Sequence, residues 1–402
     1  EIVGHKQDGI RLFKSSRASI NNSSIKSNAG RGVLIQDSAA LSLERSEIKK
    51  NAVGITNHSD GSVEFQNNEI TANTVDLVGN LDGELRKERE KPKARAITLP
   101  DADYSELQEA VDALEPGGEI TLEGKVKGGA VVSKEITIKS SEKDPELYFP
   151  KETHAPVLSL VGQADLTLNG ITVTGSESSG IVGGSNGILR VKGSVIKRNG
   201  EGGIELWDSA SLLLEDSEVR GNDGNGIRLV DSTRLVVRDG VFSENKRMGF
   251  ILGGRSRGTI KRSKISGSGE NGLSLFGAAN VALEGVTVSG SGSNGVKLTG
   301  EARANLENCG IVKNQWDGIS LYSSSWLSLK DSRVANNSNG FSLRDVSWLF
   351  AQDNSIQNNA VGIKVMKPRE FKGEIAGSGN VVTDNGTDFA GMRREVKKKL
   401  VD

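Results

Sequence analysis

The sequence predicts an all-β solenoid, built from coils of 22 or 23 residues that each contribute three short parallel strands. The first observation is a repeated signature, a glycine followed by alternating apolar residues, which recurs at steps of 22 or 23 residues from Gly180 to Gly362. The second is a shorter run of the same signature at Gly9, Gly32 and Gly54. A fixed period of this length indicates an array in which each unit stacks on its neighbours.

Apolar residues inside each period alternate with polar ones instead of following a helical spacing. In one coil they are Ile204, Leu206, Leu212, Leu214 and Val219, a period of two that is typical of short strands separated by turns. Parallel pairing would stack the coils about 4.8 Å apart, so that equivalent residues form columns. The inward column consists of Ile204, Ile227, Phe250, Leu273, Val296, Ile319, Phe341 and Ile363.

Asparagine or serine recurs three residues after the last apolar anchor of each coil. Stacked amides at a tight turn can hydrogen-bond to local backbone and along the column, and asparagine tolerates left-handed dihedral angles. We therefore predict a structural ladder, with a row of ligand-binding amides as the alternative. Its members are Asn199, Asn222, Asn245, Ser268, Ser291, Asn314, Asn337 and Asn359, with Asn28, Asn51 and Asn73 in the shorter run.

The charges nearly cancel, with 51 basic and 52 acidic residues among 402. This balance argues against a nucleic acid or an anionic membrane as the partner, since either would attract a strongly basic protein. No apolar run approaches the length of about 18 residues that a membrane span needs. The single cysteine, Cys309, excludes an intrachain disulfide, and three scattered histidines give no metal-ligand spacing. We expect no cofactor; calcium stays open, although no calcium-binding repeat is present.

The coil NGIRLVDSTRLVVRDGVFSEN, residues 225–245, resembles those of the pectate-lyase-like superfamily of right-handed parallel β-helix proteins. The resemblance extends over residues 8–80 and 97–385 and implies the right-handed coil. That superfamily includes pectate and alginate lyases, polygalacturonases, epimerases, phage depolymerases and non-catalytic surface proteins, so the resemblance implies a fold more specifically than an activity. The WxDH motif of pectate lyases and the paired-aspartate motifs of polygalacturonases are both absent.

Composition divides the chain into four segments. Residues 1–83 would be the last coils of a first β-helix that lacks its beginning, and the charged segment 84–95 would be a linker. Residues 96–390 would form a complete β-helix domain, with a capping helix near 104–114 whose apolar face holds Leu107, Ala110, Val111 and Leu114. Residues 391–402 would form a basic tail or helix. The open end, residues 1–20, would need a cover, and self-association is one candidate beside upstream chain or the other domain.

The resemblance places the cleft of such proteins on the strand that carries the Gly-Ile-x-Leu signature. Outward residues there include Glu205, Arg228 and Lys297. In one interpretation Arg228 or Lys297 acts as a base or as a clamp on a uronate carboxylate, with Glu205 as acid, base or cation ligand. In the other, Glu205 and Arg228 on neighbouring coils form only an exposed ion pair. Aromatic rings suited to the apolar faces of sugars are Trp207, Phe276, Trp316 and Tyr322.

Three aspartates are candidates for the paired carboxylates that a glycosidase needs. Asp208 and Asp231 occupy equivalent turn positions, and Asp37 stands at the same position of the shorter run, again followed by serine. This recurrence favours a side chain that caps its own turn, with catalysis as the alternative. Asp317 lies directly ahead of its glycine, beside the expected cleft.

A second outward column lies eight residues after each signature glycine. It contains Ser211, Arg234, Arg257, Asn280, Arg303, Trp326 and Trp348, and its basic character is extended by Arg238 and Lys261. Arg303 beside the two tryptophans is expected to make cation–π contacts. A strip of cations and rings would also suit an anionic polymer.

Two functions stay open from the sequence. One is an extracellular β-helix enzyme, a lyase or hydrolase of a polysaccharide that contains uronate. The other is a non-catalytic cell-surface or adhesion module that uses the coil as a rigid scaffold and glycan-binding face. A polysaccharide is the expected partner in both, and the expected location is extracellular or at the cell surface. Clustered perturbed carboxylates in a groove would favour the enzyme, and a flat face with only ion pairs would favour the module.

Overall fold

The computed structural model describes residues 1–71, 73, 75–79, 94–104, 106–141, 145–149 and 154–401. These residues form an all-β protein in which short parallel strands stack into coils, with two short helices. The described chain divides into two compact units, residues 1–205 with 209–211 and residues 206–208 with 212–402. The linker expected at 84–95 lies outside the described residues except for Ala94 and Arg95, and the domain boundaries stay a prediction.

The first unit begins with three small parallel sheets. Residues 22 or 23 apart pair with each other, as Val33 pairs with Ile55 and Ile25 with Ile48. The alternating apolar residues point inward and form a core of Ile25, Val33, Ile35, Leu41, Leu43, Ile48 and Ile55. The strands are β1 (Ile2–Val3), β2 (Ile10–Leu12), β3 (Arg17–Asn21), β4 (Ser24–Lys26), β5 (Arg31–Asp37), β6 (Ala40–Glu44), β7 (Glu47–Lys49), β8 (Val53–Ser59), β9 (Val63–Gln66), β10 (Glu69–Thr71) and β11 (Val75–Gly79).

The remainder of the first unit is a second run of coils that opens with a helix, α1 (Leu107–Ala113). The predicted apolar face is buried at Leu107, Ala110, Val111 and the following Leu114, while a capping role for α1 stays a prediction. The strands are β12 (Ala94–Leu99), β13 (Leu114–Leu122), β14 (Lys125–Lys127), β15 (Ala130–Val132), β16 (Glu135–Ser140), β17 (Glu146–Tyr148), β18 (Leu158–Leu160), β19 (Asp165–Asn169), β20 (Thr172–Thr174), β21 (Ile181–Gly183), β22 (Ile188–Lys192), β23 (Val195–Lys197) and β24 (Ile204–Leu206).

The two runs of the first unit contact each other through strand faces. Strand β11 lies against β15 and β18. Leu34 and Thr56 are register neighbours that point away from the core of the first run, yet both are buried. Val131 and Ser159, register neighbours on β15 and β18, are buried as well. The outward face of one sheet is therefore covered in each run, which removes an apolar surface from solvent.

The second unit contains three parallel sheets, each with one strand per coil. The long-strand sheet consists of β25 (Ser211–Glu215), β28 (Arg234–Arg238), β31 (Arg257–Lys261), β34 (Asn280–Glu284), β37 (Arg303–Glu307), β40 (Trp326–Lys330), β43 (Trp348–Gln352) and β46 (Glu374–Ser378). The middle sheet consists of β26 (Glu218–Arg220), β29 (Val241–Ser243), β32 (Lys264–Ser266), β35 (Thr287–Ser289), β38 (Gly310–Val312), β41 (Arg333–Ala335), β44 (Ser355–Gln357) and β47 (Val381–Thr383). The glycine-side sheet consists of β27 (Ile227–Leu229), β30 (Phe250–Leu252), β33 (Leu273–Leu275), β36 (Val296–Leu298), β39 (Asp317–Leu321), β42 (Asn339–Leu343), β45 (Val361–Val365) and β48 (Thr387–Ala390).

The inward column predicted from the sequence is confirmed. Each of its members is fully buried, and in the second unit each pairs with the equivalent residue of the next coil: Ile227, Phe250, Leu273, Val296, Ile319, Phe341 and Ile363. Stacking one apolar side chain on the next excludes water along the inside of the coil, and this burial is the main driving force for the fold.

The asparagine ladder is also confirmed as a structural element. In the second unit the Asn337 side-chain amide donates to Asn359 Oδ1 at 3.1 Å and to the Ile311 carbonyl at 3.1 Å. Its own Oδ1 accepts from the Asn314 backbone N–H and side-chain amide, both at 3.0 Å. In the first unit Asn28 donates to Asn51 at 2.9 Å and Asn51 to Asn73 at 3.0 Å. These amides are internal to the turns, so the alternative of a ligand-binding row is wrong.

The C-terminal segment forms a helix, α2 (Arg394–Val401), that packs beside β46. Leu400 is fully buried, and its carbonyl accepts hydrogen bonds from the Asn380 backbone N–H at 3.1 Å and side-chain amide at 2.7 Å. The helix therefore docks onto the last coil and satisfies a polar group there. Neither described helix is long and apolar enough to cross a lipid bilayer.

Candidate functional site

The outward row of the glycine-side sheet carries the residues expected to line a cleft. Lys297, Ser320, Ser342 and Lys364 are register neighbours on four successive strands. They alternate with the inward column, so their side chains leave the coil on its outer face. Ser320 and Ser342 are nevertheless buried, and the Ser320 hydroxyl hydrogen-bonds to Asn294 and Asp317, which precede the signature glycines.

A cationic and aromatic cluster lies where this row meets the turn that follows it. The Tyr322 ring lies between two cations, with Lys297 Nζ at 5.5 Å and Arg344 Cζ at 5.2 Å from the ring centroid. Lys297 is on the preceding coil and Arg344 is the residue equivalent to Tyr322 on the following coil. Both distances lie in the range of cation–π contacts, which orient the ring and place two positive charges beside it. We call these three residues the tyrosine cluster.

Asp317 lies on the same strand as Ser320 and is buried in a polar network. Its two carboxylate oxygens accept from Ser320 Oγ and from the Asn339 side-chain amide, both at 2.6 Å. Its backbone N–H donates to Asn294 Oδ1 at 3.2 Å. Asn294 in turn donates to Asn271 Oδ1 at 3.0 Å. The Asp317 carboxylate therefore stabilises a second ladder just ahead of the signature glycines; its catalytic role stays a prediction.

Asp208 and Asp231 are turn residues in the left-handed region, with φ of 56° and 65°. Asp231 Oδ2 accepts from the Asp208 backbone N–H at 3.1 Å. The same contact joins Asp345 to the Ser323 N–H at 2.9 Å, and Asp37 to the Lys14 N–H at 2.7 Å. A carboxylate at this position therefore satisfies the turn of the preceding coil, whereas the sequence predicts a cap of its own turn; that cap and catalysis by the pair both stay predictions.

Glu205 and Arg228 fall in different units of the chain. In the first unit Glu205 Oε1 accepts from Ser179 Oγ at 3.0 Å, and that hydroxyl also accepts from the Gly202 N–H at 3.0 Å. The ion pair with Arg228, and the catalytic role of either residue, stay predictions.

The aromatic candidates differ in exposure. Trp316 is 62% exposed and Phe276 is 41% exposed, whereas Trp207 and Tyr322 are partly buried. The Phe276 ring lies over Gly253, where any added Cβ would stand 2.0 Å from the ring. Because Gly253 has no side chain, the Phe276 ring can occupy this space. Trp316 ends a longer turn: five residues run from Asn314 to Gly318, but four run from Asn337 to Gly340 on the next coil.

The second outward column predicted from the sequence is present on the long-strand sheet. Strand pairing aligns Arg234, Arg257, Asn280, Arg303, Trp326 and Trp348. The cation–π contact expected of Arg303 is not observed in the described part of the chain, although Trp326 is its register neighbour. Arg303 is exposed to solvent.

Sequence reasoning missed Arg344 as a site residue. Its signal is positional, because it lies 22 residues after Tyr322 and so occupies the same turn position one coil later. Among the residues that the structure describes, His, Cys, Asp and Glu side chains form no group of three or more placed to hold one metal ion.

Comparisons with known proteins identify the architecture. The family model described as "Right handed beta helix region" matches residues 1–74, 151–253 and 241–374, well over half of the chain. The periplasmic alginate epimerase AlgG is similar in structure, with a TM-score of 0.55 and 14% identity over 69% of this chain and 74% of that one. The A-module of the mannuronan C-5 epimerase AlgE4 from Azotobacter vinelandii has a TM-score of 0.52 and 16% identity over 74% and 92%.

A third similar structure is the catalytic unit of the thermostable GH87 α-1,3-glucanase from Streptomyces thermodiastaticus. It has a TM-score of 0.52 and 12% identity over 76% of this chain and 71% of that one. Identities this low show a shared fold alone. A comparison with curated protein sequences gave no match.

Proposed function

Because the chain belongs to the right-handed β-helix family, we propose that it binds an anionic polysaccharide that contains uronate on the outer face of its glycine-side sheet. The observation that carries this proposal is the tyrosine cluster, in which Lys297 and Arg344 flank the Tyr322 ring at 5.5 and 5.2 Å. Each of the two cations can attract an anion, and the ring that both of them contact can pack against a sugar.

The chemistry of each group fits one uronate unit. The Arg344 guanidinium can donate two parallel hydrogen bonds to a carboxylate, and the Lys297 ammonium adds a compact positive charge beside the same ring. The exposed rings of Phe276 and Trp316 can cover the apolar faces of neighbouring sugar units. The similarity in structure to an alginate epimerase, a mannuronan C-5 epimerase and an α-1,3-glucanase supports a glycan as the ligand class.

The reaction that this arrangement serves best is β-elimination. A base removes the proton at C5 of the uronate, the bond from C4 to the glycosidic oxygen breaks, and that oxygen takes up a proton, which leaves a C4–C5 double bond. The negative charge that develops beside the carboxylate would be stabilised by Lys297 and Arg344. The Tyr322 hydroxyl is a group within the cluster that can exchange a proton.

Hydrolysis fits less well, because it needs two available carboxylates. Asp231 accepts a bond from the neighbouring turn, and both oxygens of Asp317 accept bonds from Ser320 and Asn339. The same observation favours a second candidate function, a non-catalytic glycan-binding module, since these carboxylates serve the scaffold. In either case we infer a location outside the cytoplasm, where such polysaccharides occur.

The test separates binding from cleavage. The chain is incubated with polyuronates and neutral glucans, with and without calcium, and reducing ends and the ultraviolet absorbance of unsaturated uronates are followed. Tyr322→Phe keeps the ring and removes the hydroxyl, so it should retain binding and lose the absorbance change. If the wild type binds the polysaccharide but produces neither reducing ends nor the absorbance change, the binding module is favoured.

Binding itself is tested at the two cations. Lys297→Ala combined with Arg344→Ala should weaken polyuronate binding about tenfold or more, because two charge-assisted contacts are lost. Lys264→Ala combined with Arg333→Ala, which removes two exposed charges from the middle sheet, is the matched control and should bind like the wild type. Equal affinities in all three proteins would contradict the proposal.

A further inference from the structure

Beyond that site, we propose that the long-strand sheet carries a second surface for an anionic polysaccharide. We call it the arginine strip, which consists of Arg234, Arg257, Asn280, Arg303, Trp326 and Trp348. These residues are aligned by strand pairing on successive coils, and all are exposed except Trp326, which is partly buried.

The three arginines of the strip make no side-chain hydrogen bond, ion pair or ring contact with any residue that the structure describes. Three other cations on or beside this face of the second unit pair with carboxylates. Lys261 pairs with Glu284 at 2.6 Å, Lys330 with Glu307 at 3.8 Å, and the Arg262 guanidinium binds both oxygens of Asp239 at 2.9 and 2.6 Å. The strip therefore keeps three guanidinium groups available for an external anion.

The surroundings of the strip explain why its arginines stay unpaired. The next outward column along the same strands is uncharged and contains Val236, Thr259, Ala282, Asn305, Ser328 and Phe350. Glu284 and Glu307, one column further, are already paired with lysines. Along the strand register, the strip has a carboxylate neighbour at its far end, where Trp348 is aligned with Glu374. No described carboxylate forms an ion pair with Arg234, Arg257 or Arg303.

The regular spacing of the arginines on successive coils favours a linear polymer as the ligand. Coils rise about 4.8 Å per strand, so Arg234 and Arg257 stand one step apart and Arg303 two steps further on. Guanidinium groups bind carboxylates and sulfates through paired hydrogen bonds. Beyond Arg303 the track continues with Trp326, Trp348, which is 46% exposed, and the neighbouring Phe350, which is 41% exposed. Rings in line with cations suit the apolar faces and the acid groups of one sugar chain.

A nucleic acid is a poorer fit. The chain has a net charge of −1, so it has no general attraction for a polyphosphate. Three arginines also neutralise fewer phosphates than the roughly six to ten contacts that give tight binding. An anionic polysaccharide needs fewer charge contacts per unit length, because part of its surface is apolar.

The experiment uses the full chain with a polyuronate and with heparin as a sulfated probe, and it measures Kd at two salt concentrations. Arg234→Glu combined with Arg257→Glu should raise Kd about tenfold or more for at least one probe and should flatten its dependence on salt. The matched control reverses two exposed charges on the middle sheet, Lys264→Glu with Arg333→Glu, and should leave Kd within twofold of the wild type.

Each outcome decides the proposal. An unchanged Kd in the Arg234 and Arg257 variant, or an equal loss in the control, overturns it. Arg234→Gln with Arg257→Gln repeats the test without like-charge repulsion if the charge-reversed protein does not fold. Tighter binding of single-stranded DNA than of either glycan, lost in the same variant, would also overturn the assignment to a polysaccharide. The Lys297 and Arg344 variants leave the strip intact, so failure at one surface does not imply failure at the other.

Trp348→Ala tests the aromatic half of the strip. Loss of one stacking ring should raise Kd roughly threefold to tenfold while leaving the salt dependence unchanged. An unchanged Kd would restrict the surface to its arginines and overturn the claim that the rings take part.

Discussion

One turn position shows why an aspartate in this protein does not by itself indicate a catalytic site. The turn that follows each strand of the glycine-side sheet contains one residue in the left-handed region, which is Asp208, Asp231, Gly254, Gly277, Gly300, Ser323 or Asp345 in successive coils. Glycine and aspartate both tolerate this conformation, and aspartate adds a hydrogen bond to the turn of the coil before. The left-handed conformation of this turn position is therefore a structural reason for an aspartate at positions 208 and 231.

Removal of one ladder amide should be costly. We predict that Asn337→Ala lowers the free energy of unfolding by about 2 kcal/mol, because it leaves buried partners on Asn314 and Ile311 without their hydrogen bonds. Urea unfolding measures the change. Ser338→Ala, at the exposed neighbouring residue, is the control and should differ little from the wild type. Equal stabilities for the two variants would contradict the role given to the ladder.

His58 should make the stability of the first unit depend on pH. Burial, helped by the positive charge of Arg31, lowers the pKa of the His58 imidazole from 6.5 to about 3. The unfolded chain therefore binds a proton between these pH values while the folded chain does not. Stability is fully present above about pH 6.5 and is lost as the pH falls toward 3, by up to roughly 1.4 kcal/mol per pH unit.

The measurement compares urea unfolding of the wild type and His58→Gln from about pH 7 down to about pH 4. The variant cannot take up the proton, so its stability should fall less steeply over this range. Parallel pH profiles for the two proteins would mean that His58 is not the group responsible.

At the level of strands and helices, the sequence period predicts most of what is observed. The glycine repeat fixes which residues pair between coils, and the alternation fixes which face inward, as the buried column from Ile227 to Ile363 confirms. The family match confirms the right-handed coil that the resemblance implied. Helix α1 lies within the predicted range, with its apolar face buried.

Contacts between non-equivalent positions could not be predicted in the same way. The packing of β11 against β15 and β18 depends on how two runs meet, which a local period does not encode. The tyrosine cluster likewise depends on the side-chain directions of Lys297 and Arg344. The sequence predicts Lys297 and Tyr322 as site residues, but not the contact between them, because that contact depends on where the side chains point.

Two phenylalanines provide a test of inward and outward positions. Phe341→Ala should destabilise the protein by about 3 to 5 kcal/mol, because it opens a cavity in the fully buried column. Phe350→Ala removes the same group from an exposed site on the next strand along the chain. It should lower the free energy of unfolding by less than about 0.5 kcal/mol. Denaturant unfolding of both variants measures the difference; a similar loss for each would contradict the assigned orientation of these strands.

Considered as a whole molecule, the protein carries almost no net charge but distributes its charges unevenly. On the long-strand sheet Lys261 and Lys330 pair with a carboxylate on the adjoining coil, whereas the arginines of the strip do not. The attraction of the arginine strip and of the tyrosine cluster for an anion acts over roughly one Debye length. Recognition would depend on contact with the ligand and would owe little to long-range steering.

The turn that ends at Trp316 shows how such a scaffold can change. Asn314 and Asn337 remain hydrogen-bonded across the point where the turn loses one residue, and the strands that follow stay paired. Ladder and strands thus hold the turn from both sides, and both are kept although the turn differs by one residue between the two coils. We therefore expect this turn to accept a grafted loop with less disturbance of the coil than a strand position would, which makes it a place where new specificities can arise.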